Sequence, residues 1–205
     1  MSKVQVDTID TRSGTATMQI GSTNTSTINI GVSGDTVNIP SGVTIANAGT
    51  ATGFGQSMTP MFAARRTSGQ SLSDNTFVKI QFATEDIDTD SAFDNSSNYR
   101  FTVPSGKAGK YLFSFNVAVA SNTGVSNAKQ LFVALYKNGT SFLQNFFDGR
   151  NNAYGDTFSG SASFILDCSA SDYFEIYAKF NDSGSGGGNV QSGATSFSGV
   201  RLLAS

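Results

Sequence analysis

The chain has 205 residues, a formal net charge of −2 at pH 7, one cysteine and no histidine. This composition excludes a Ser-His-Asp triad, a Cys-His pair, a histidine-ligated zinc site and an intrachain disulfide. The 13 basic residues are spread along the chain and form no basic stripe, so nothing in the sequence indicates nucleic-acid binding.

The N-terminal part of the chain differs in composition from the rest. Phe54 is the only aromatic residue before Pro60, whereas 16 of the 17 Phe and all 6 Tyr follow it. The first residues lack the apolar core of a signal peptide, and no apolar run approaches the ~20 residues that cross a bilayer. We therefore expect synthesis in a cytoplasm, without membrane insertion.

A short repeat runs through this N-terminal part. Segments 17–21, 27–31 and 36–40 share the template Thr-aliphatic-amide-Ile-Gly/Pro, and 43–45 is a partial copy. Each unit puts two aliphatic side chains on one strand face, a stripe too narrow to stabilise a single chain. Three chains around one axis would bury their stripes together and pair the strand edges. We predict a trimeric β-repeat shaft, β-helix-like or β-prism-like, over residues 1–45; a flexible Ser/Thr linker is the alternative.

A Gly/Ala/Thr-rich neck is predicted at residues 46–60, followed by one globular domain at 61–205. Segments 77–82, 111–119 and 174–180 are rich in aromatic and β-branched residues, as is typical of strands. The pair Asn138-Gly139 favours a tight hairpin turn. No stretch has helical periodicity, so the sequence predicts an all-β antiparallel sandwich.

Three motifs in this domain point to one fold. Segment 196–203 reads Ser-Phe-Ser-Gly-Val-Arg-Leu-Leu, and segment 135–139 reads Leu-Tyr-Lys-Asn-Gly. The third motif is the spacing Phe82-x5-Asp88-x4-Phe93-x7-Phe101-x7-Gly109-x-Tyr111-x-Phe113-x-Phe115. Together they resemble the globular head of the complement q subunit, a family related to the tumour necrosis factors. The resemblance implies a jelly-roll β-sandwich head that assembles as a trimer.

A low-charge strand repeat followed by a jelly roll is similar to fibre and tail-associated proteins of bacteriophages. That resemblance implies a homotrimeric virion fibre. Segment 4–10 is the expected docking end for other virion structural proteins, because it precedes the shaft. Two functions remain open at this point. The head binds a host-surface glycan or protein, or it only caps and registers the trimer of a structural fibre or capsid-decoration protein.

Loops at one end of a jelly roll are candidates for ligand binding. Segments 121–127, 148–156 and 181–189 are crowded with Asn, Gly, Ser and Asp, which can hydrogen-bond a sugar but also serve simply as turn formers. The candidate ligand-binding residues are Arg150, Asn151, Asn152, Tyr154, Asn181, Asp182 and Asn189.

The remaining candidates are acidic residues and one thiol. The alternating carboxylates Asp86, Asp88 and Asp90 resemble the start of a calcium loop and are the candidate ligands of a Ca2+ ion, with a solvated turn as the alternative. A glycosidase-type carboxylate pair involving Glu85 or Glu175 is the one enzymatic alternative left open. Cys168 is expected to pack as a small apolar residue. The sequence otherwise predicts a protein without catalytic residues.

Overall fold

The computed structural model describes residues 20–21, 23–46, 58–124, 127–149 and 155–204. The chain divides into two compact units, Met1–Thr52 and Gly53–Ser205, so the division falls inside the predicted neck. The candidate binding residues Arg150, Asn151, Asn152 and Tyr154 lie outside the described residues. No helix that could span a membrane occurs in the part of the chain that the structure describes.

The head is built from strands and turns, with no helix among its described residues. Its strands are β1 (Met61–Arg65), β2 (Gln70–Leu72), β3 (Val78–Lys79), β4 (Thr84–Asp88), β5 (Phe93–Asp94), β6 (Arg100–Thr102), β7 (Gly109–Ser121), β8 (Ala128–Lys137), β9 (Thr140–Asp148), β10 (Thr157–Cys168), β11 (Tyr173–Asp182), β12 (Gly188–Val190) and β13 (Ser196–Ala204).

These strands form two sheets. The first, sheet A, has the order β2-β12-β7-β13-β1-β4, with β10 paired to β7 as well; the second, sheet B, has the order β5-β6-β11-β8-β9, with β3 also paired to β11. Every pairing between these strands is antiparallel. The sequence prediction of an all-β antiparallel sandwich is confirmed.

The aromatic residues of the spaced motif form the core between the sheets. The buried members are Phe82, Phe93, Phe101, Tyr111, Phe113 and Phe115. Phe62 of β1 stacks on Phe93 and Phe101, with ring centroids 5.1 and 4.6 Å apart. Phe113 lies 4.5 Å from Phe174 of the facing sheet, centroid to centroid. The motif spacing therefore places large rings on the inner faces of both sheets.

Gly199 in β13 lets these rings approach the backbone. A Cβ atom at this position would lie 2.6 Å from Phe62 and 2.7 Å from Phe113. The small residue in the Ser-Phe-Ser-Gly motif is therefore required by ring packing above it.

The predicted hairpin at Asn138-Gly139 joins β8 to β9. Both residues have positive φ, 53° and 77°, as the turns that suit twisted strand pairs require. The Asn138 side chain also accepts a hydrogen bond from the backbone amide of Tyr173 at 2.8 Å, which fixes the turn against β11.

The strand predicted at 77–82 is wrong in extent, since only Val78–Lys79 pairs as a strand. Beyond it, the amide of Ile80 still donates to the carbonyl of Ile176 at 2.8 Å, and side chains then take the place of the strand ladder. Gln70 donates to the carbonyl of Lys79 at 2.7 Å and accepts from the amide of Gln81 at 3.0 Å, and Arg66 donates to the Gln81 carbonyl. A composition rich in β-formers gives no sign of such side-chain bonds.

The described part of the N-terminal unit consists of turns and of segments without regular secondary structure. Turns at 23–24, 33–34 and 41–42 separate successive copies of the repeat. The carboxylate of Asp35 accepts a hydrogen bond from the amide of Val32 at 2.9 Å, and the Asp35 amide donates to the Val32 carbonyl at 3.0 Å. Residues 20–21 and 23–46 contain no strand. A strand is defined by its pairing with a neighbouring strand, and these residues have no such partner within the single chain. The trimeric shaft stays a prediction.

Candidate functional site

Strand register brings the three candidate loops to one end of the head. Ser121, Asp148 and Asp182 end their strands there, whereas Ala204 pairs with Gly109 at the opposite end of β7. The loops therefore surround an apex remote from the last strand residue. We call this end the apex.

The described apical residues bond mainly to one another. Asp182 is only 1% exposed. Its carboxylate accepts hydrogen bonds from the Thr123 hydroxyl at 2.6 Å and from the Gly184 amide at 3.2 Å. Asn127 donates to the Thr123 hydroxyl at 3.0 Å and accepts from Ser183 at 2.8 Å. Asp182 thus holds loops 121–127 and 181–189 together and does not present its carboxylate to solvent.

The other two described candidates lie closer to solvent. The Asn181 amide donates to the side-chain oxygen of Gln130 at 3.1 Å on the outer face of sheet B. Asn189 is exposed on β12 in sheet A. The structure therefore places these two side chains on different sheets.

The acidic segment 86–90 commits each carboxylate to a different partner. Asp86 accepts two hydrogen bonds from Arg65, at 2.8 and 2.9 Å. Asp88 accepts from the amides of Ala92 and Phe93 at 3.0 and 2.9 Å, and Asp90 pairs with Lys107 at 3.2 Å. Asp88 thereby fixes the turn before Phe93, whose side chain is buried in the core. This role explains why the motif has an Asp at this position.

No group of three His, Cys, Asp or Glu side chains close enough to hold a metal ion occurs in the described ranges. The calcium site stays a prediction that calorimetric titration of Ca2+ would test. Next to this segment, the backbone amides of Ser97 and Ser96 hold the pKa of Asp94 well below its usual range.

Of the remaining candidates, Glu175 and Cys168 are buried, whereas Glu85 is exposed on β4. Glu175 is 4% exposed and bonds to the ammonium of Lys79 at 2.5 Å. Cys168 is buried, and burial raises the pKa of its thiol to about 12, so the reactive thiolate is scarce at neutral pH. Cys168 therefore has the inert environment of a core residue.

An apolar depression of about 240 Å3 lies on the outer face of sheet A. Ala63, Leu112 and Val200 form its floor, and Ile87, 46% exposed, stands at its rim. We call this depression the sheet A cleft. Exposed apolar surface of this kind marks an interaction site more often than an isolated surface side chain does.

A second apolar surface runs along β9 and β10. Phe142 and Phe147 of β9 are exposed large side chains there, and Phe147 contacts Phe158 of β10 with ring centroids 4.3 Å apart. We call this surface the β9–β10 edge. Sequence analysis missed both surfaces, because no local pattern tells which side of a strand meets the core when both sides carry apolar residues.

The outer face of sheet B carries a third grouping. Register places Lys179 of β11 opposite Phe132 of β8, and Phe132 opposite Phe146 of β9. The Lys179 ammonium lies 4.4 Å from the Phe132 ring centroid and 5.2 Å from that of Phe77. We call the rings of Phe77, Phe132 and Phe146, together with Lys179, the aromatic row. Its members are far apart in sequence, so only the pairing of the strands brings them together.

Comparison with known proteins identifies the fold of the head. No protein-family profile and no curated protein matches the sequence. The globular domain of the zebrafish complement 1qA protein matches the structure with a TM-score of 0.52 and 16% identity, over 72% of this chain and 100% of that one.

The Eiger tumour necrosis factor of S. frugiperda matches with a TM-score of 0.52 and 12% identity, over 71% of this chain and 92% of that one. Murine APRIL has a TM-score of 0.48 and 11% identity, over 69% of this chain and 98% of that one. The head has the jelly-roll fold shared by the complement q globular domain and the tumour necrosis factors.

Proposed function

We propose that this chain is the protomer of a homotrimeric bacteriophage fibre, a virion protein whose head binds a host-surface glycan or protein. Its N-terminal end docks on other virion structural proteins. The observation that carries the proposal is the exposure of aliphatic side chains in the N-terminal unit.

Eight Ile and Val side chains of that unit are between 45% and 78% exposed in the single chain: Ile20, Ile28, Ile30, Val32, Val37, Ile39, Val43 and Ile45. Burying one such side chain is worth about 2 kcal/mol. A soluble chain that leaves a regular series of them in water gains most by bringing copies of itself together. Repeating turns between the copies of the template keep these side chains in a regular order.

The head offers matching surfaces for the same assembly. The sheet A cleft is concave and apolar, and the β9–β10 edge presents large exposed side chains. A contact between an edge on one copy and a cleft on the next is heterologous, and heterologous contacts close into a ring when the rotation between copies divides a full turn. A ring of three heads is what the fold resemblance implies.

Such an assembly leaves two surfaces for a ligand, the apex and the outer face of sheet B. Amide, hydroxyl and aromatic groups on both can hydrogen-bond to and stack on sugars. A purely structural cap is the second candidate function. It is favoured by the internal bonding of Asp182, Thr123 and Asn127, which uses apical polar groups to hold the loops.

The test is binding of the fluorescently labelled full chain to a panel of bacterial strains. We expect saturable binding to some strains, and its loss in the triple variant Asn151→Ala, Asn152→Ala, Tyr154→Ala would assign that binding to the apex. The matched control is Ser105→Ala, in the loop between β6 and β7 at the opposite end of the head. Absence of binding to every strain would contradict the receptor-binding role and favour the structural cap.

A further inference from the structure

The aromatic row forms a continuous strip across three strands of sheet B. Phe132 and Phe146 stack with ring centroids 5.6 Å apart and an interplanar angle of 19°. Phe146 is 63% exposed, the most exposed aromatic side chain described in the head. Exposed rings in a flat stack offer a surface on which a planar or ring-shaped ligand can lie.

Lys179 carries a charge that no carboxylate neutralises among the described residues. Two other lysines of sheet B, Lys79 and Lys137, pair with Glu175 at 2.5 Å and with Asp172 at 2.8 Å. Lys179 instead lies between the rings of Phe77 and Phe132. Such contacts hold an ammonium in place and leave its attraction for an anion intact.

Amide side chains flank the aromatic row on both sides. Asn181 and Gln130 are opposite each other, two residues along their strands from Lys179 and Phe132, and are joined by a hydrogen bond of 3.1 Å. On the other side, Gln144 is exposed and opposite Ala134. Gln130 is only 7% exposed, so Asn181 and Gln144 are the amides that face a ligand. An amide has two N–H donors and a carbonyl acceptor, and the bonds of Asn181 to Gln130 and of Gln144 to Ser141 use one donor of each.

We propose that this face of sheet B binds a glycan whose sugars carry carboxylates, a proposal that rests on the glycan-binding role given above. The carboxylate meets Lys179, the apolar face of the sugar ring lies on Phe146 and Phe132, and the hydroxyls bond to the flanking amides. Charge complementarity selects this occupant over a neutral glycan or an apolar protein surface, because neither would neutralise Lys179.

The experiment is isothermal titration of the full chain with alginate oligosaccharides, whose sugars are uronic acids, and with neutral dextran oligosaccharides of equal length. We expect binding of alginate alone, weakened about tenfold by Lys179→Gln through loss of one charge-assisted bond. Lys179→Arg keeps the charge and retains binding. Phe146→Ala removes an exposed ring and weakens binding without unfolding the head.

Arg65→Gln is the matched control, because it removes one positive charge from sheet A. Equal affinity for dextran, or an unchanged affinity after Lys179→Gln, would overturn the proposal. So would the absence of heat with alginate, polygalacturonate and polysialate at millimolar concentration. Binding to bacterial cells is measured separately, so cell binding that survives Lys179→Gln and Phe146→Ala would reject this face and leave the fibre function standing.

Discussion

The head buries most of its large apolar side chains, whereas the described part of the N-terminal unit exposes them. The head buries Phe62, Phe113 and Phe197 within its own two sheets, whereas the N-terminal unit leaves Ile28, Ile30 and their equivalents exposed. A domain of about 145 residues can enclose a core in one chain. A short repeat with one narrow apolar stripe cannot, and the trimeric shaft proposed above would bury these side chains between copies of the chain.

The largest expected effect is in the head core. Phe113→Ala removes a ring that contacts both sheets and should lower the free energy of unfolding by about 3–5 kcal/mol. Ile28→Ala in the N-terminal unit should leave the head transition unchanged. Urea unfolding followed by tyrosine fluorescence measures both, and an equal loss in the two variants would contradict the comparison.

The next effect is on assembly. Ile87→Lys puts a charge at the rim of the sheet A cleft, where Ile87 is already 46% exposed, so the fold of one head should persist. Burying an unpaired charge in the contact should weaken trimers by about 100-fold, or roughly 3 kcal/mol. Concentration-dependent light scattering measures this, with Phe146→Ala on the other sheet as the control. Unchanged trimer mass after Ile87→Lys would show that the cleft is not the contact.

A smaller effect is expected at Gly199. Gly199→Ala forces a methyl group between the rings of Phe62 and Phe113 and should cost about 1–3 kcal/mol by overpacking. The adjacent Ser198→Ala, on the opposite side of the strand, is the control. Thermal unfolding that is the same for the two variants would contradict the packing described for β13.

The smallest effect depends on pH. Burial raises the pKa of Tyr111 to about 12, and its hydroxyl donates to the carbonyl of Lys107 at 2.6 Å. The folded state therefore favours the neutral phenol, and stability is lost as pH rises from about 10, the ordinary pKa of Tyr, toward 12. Tyr111→Phe should flatten this loss between about pH 10 and pH 12 in urea unfolding. An unchanged slope would contradict it.

Sequence patterns predicted the fold correctly where a residue type is compatible with only one structural environment. The spacing of Phe82, Phe93 and Phe101 predicts the core because large rings in strands have to be buried, and Asn138-Gly139 predicts its turn because both residues tolerate positive φ. The extent of the strand at 77–82 was wrong, because Arg66 and Gln70 replace its ladder from outside the segment.

The candidate site was predicted less completely. Asn181 and Asp182 are adjacent in sequence, yet alternation along β11 sends one to the outer face and the other inward. The contact of Lys179 with Phe132 depends on pairing between distant strands, which no local pattern contains. The candidate binding residues Arg150, Asn151, Asn152 and Tyr154 lie outside the described residues and remain a prediction.

Sedimentation equilibrium of the full chain at micromolar concentration tests the central claim most directly. If the exposed aliphatic side chains of the N-terminal unit are covered by other copies, the folded species has three times the 21.4 kDa mass of the chain. Replacing Ile28, Ile30 and Ile39 by Asn should shift that species toward smaller masses while the head stays folded. A folded species of 21.4 kDa for the unaltered chain would contradict the account.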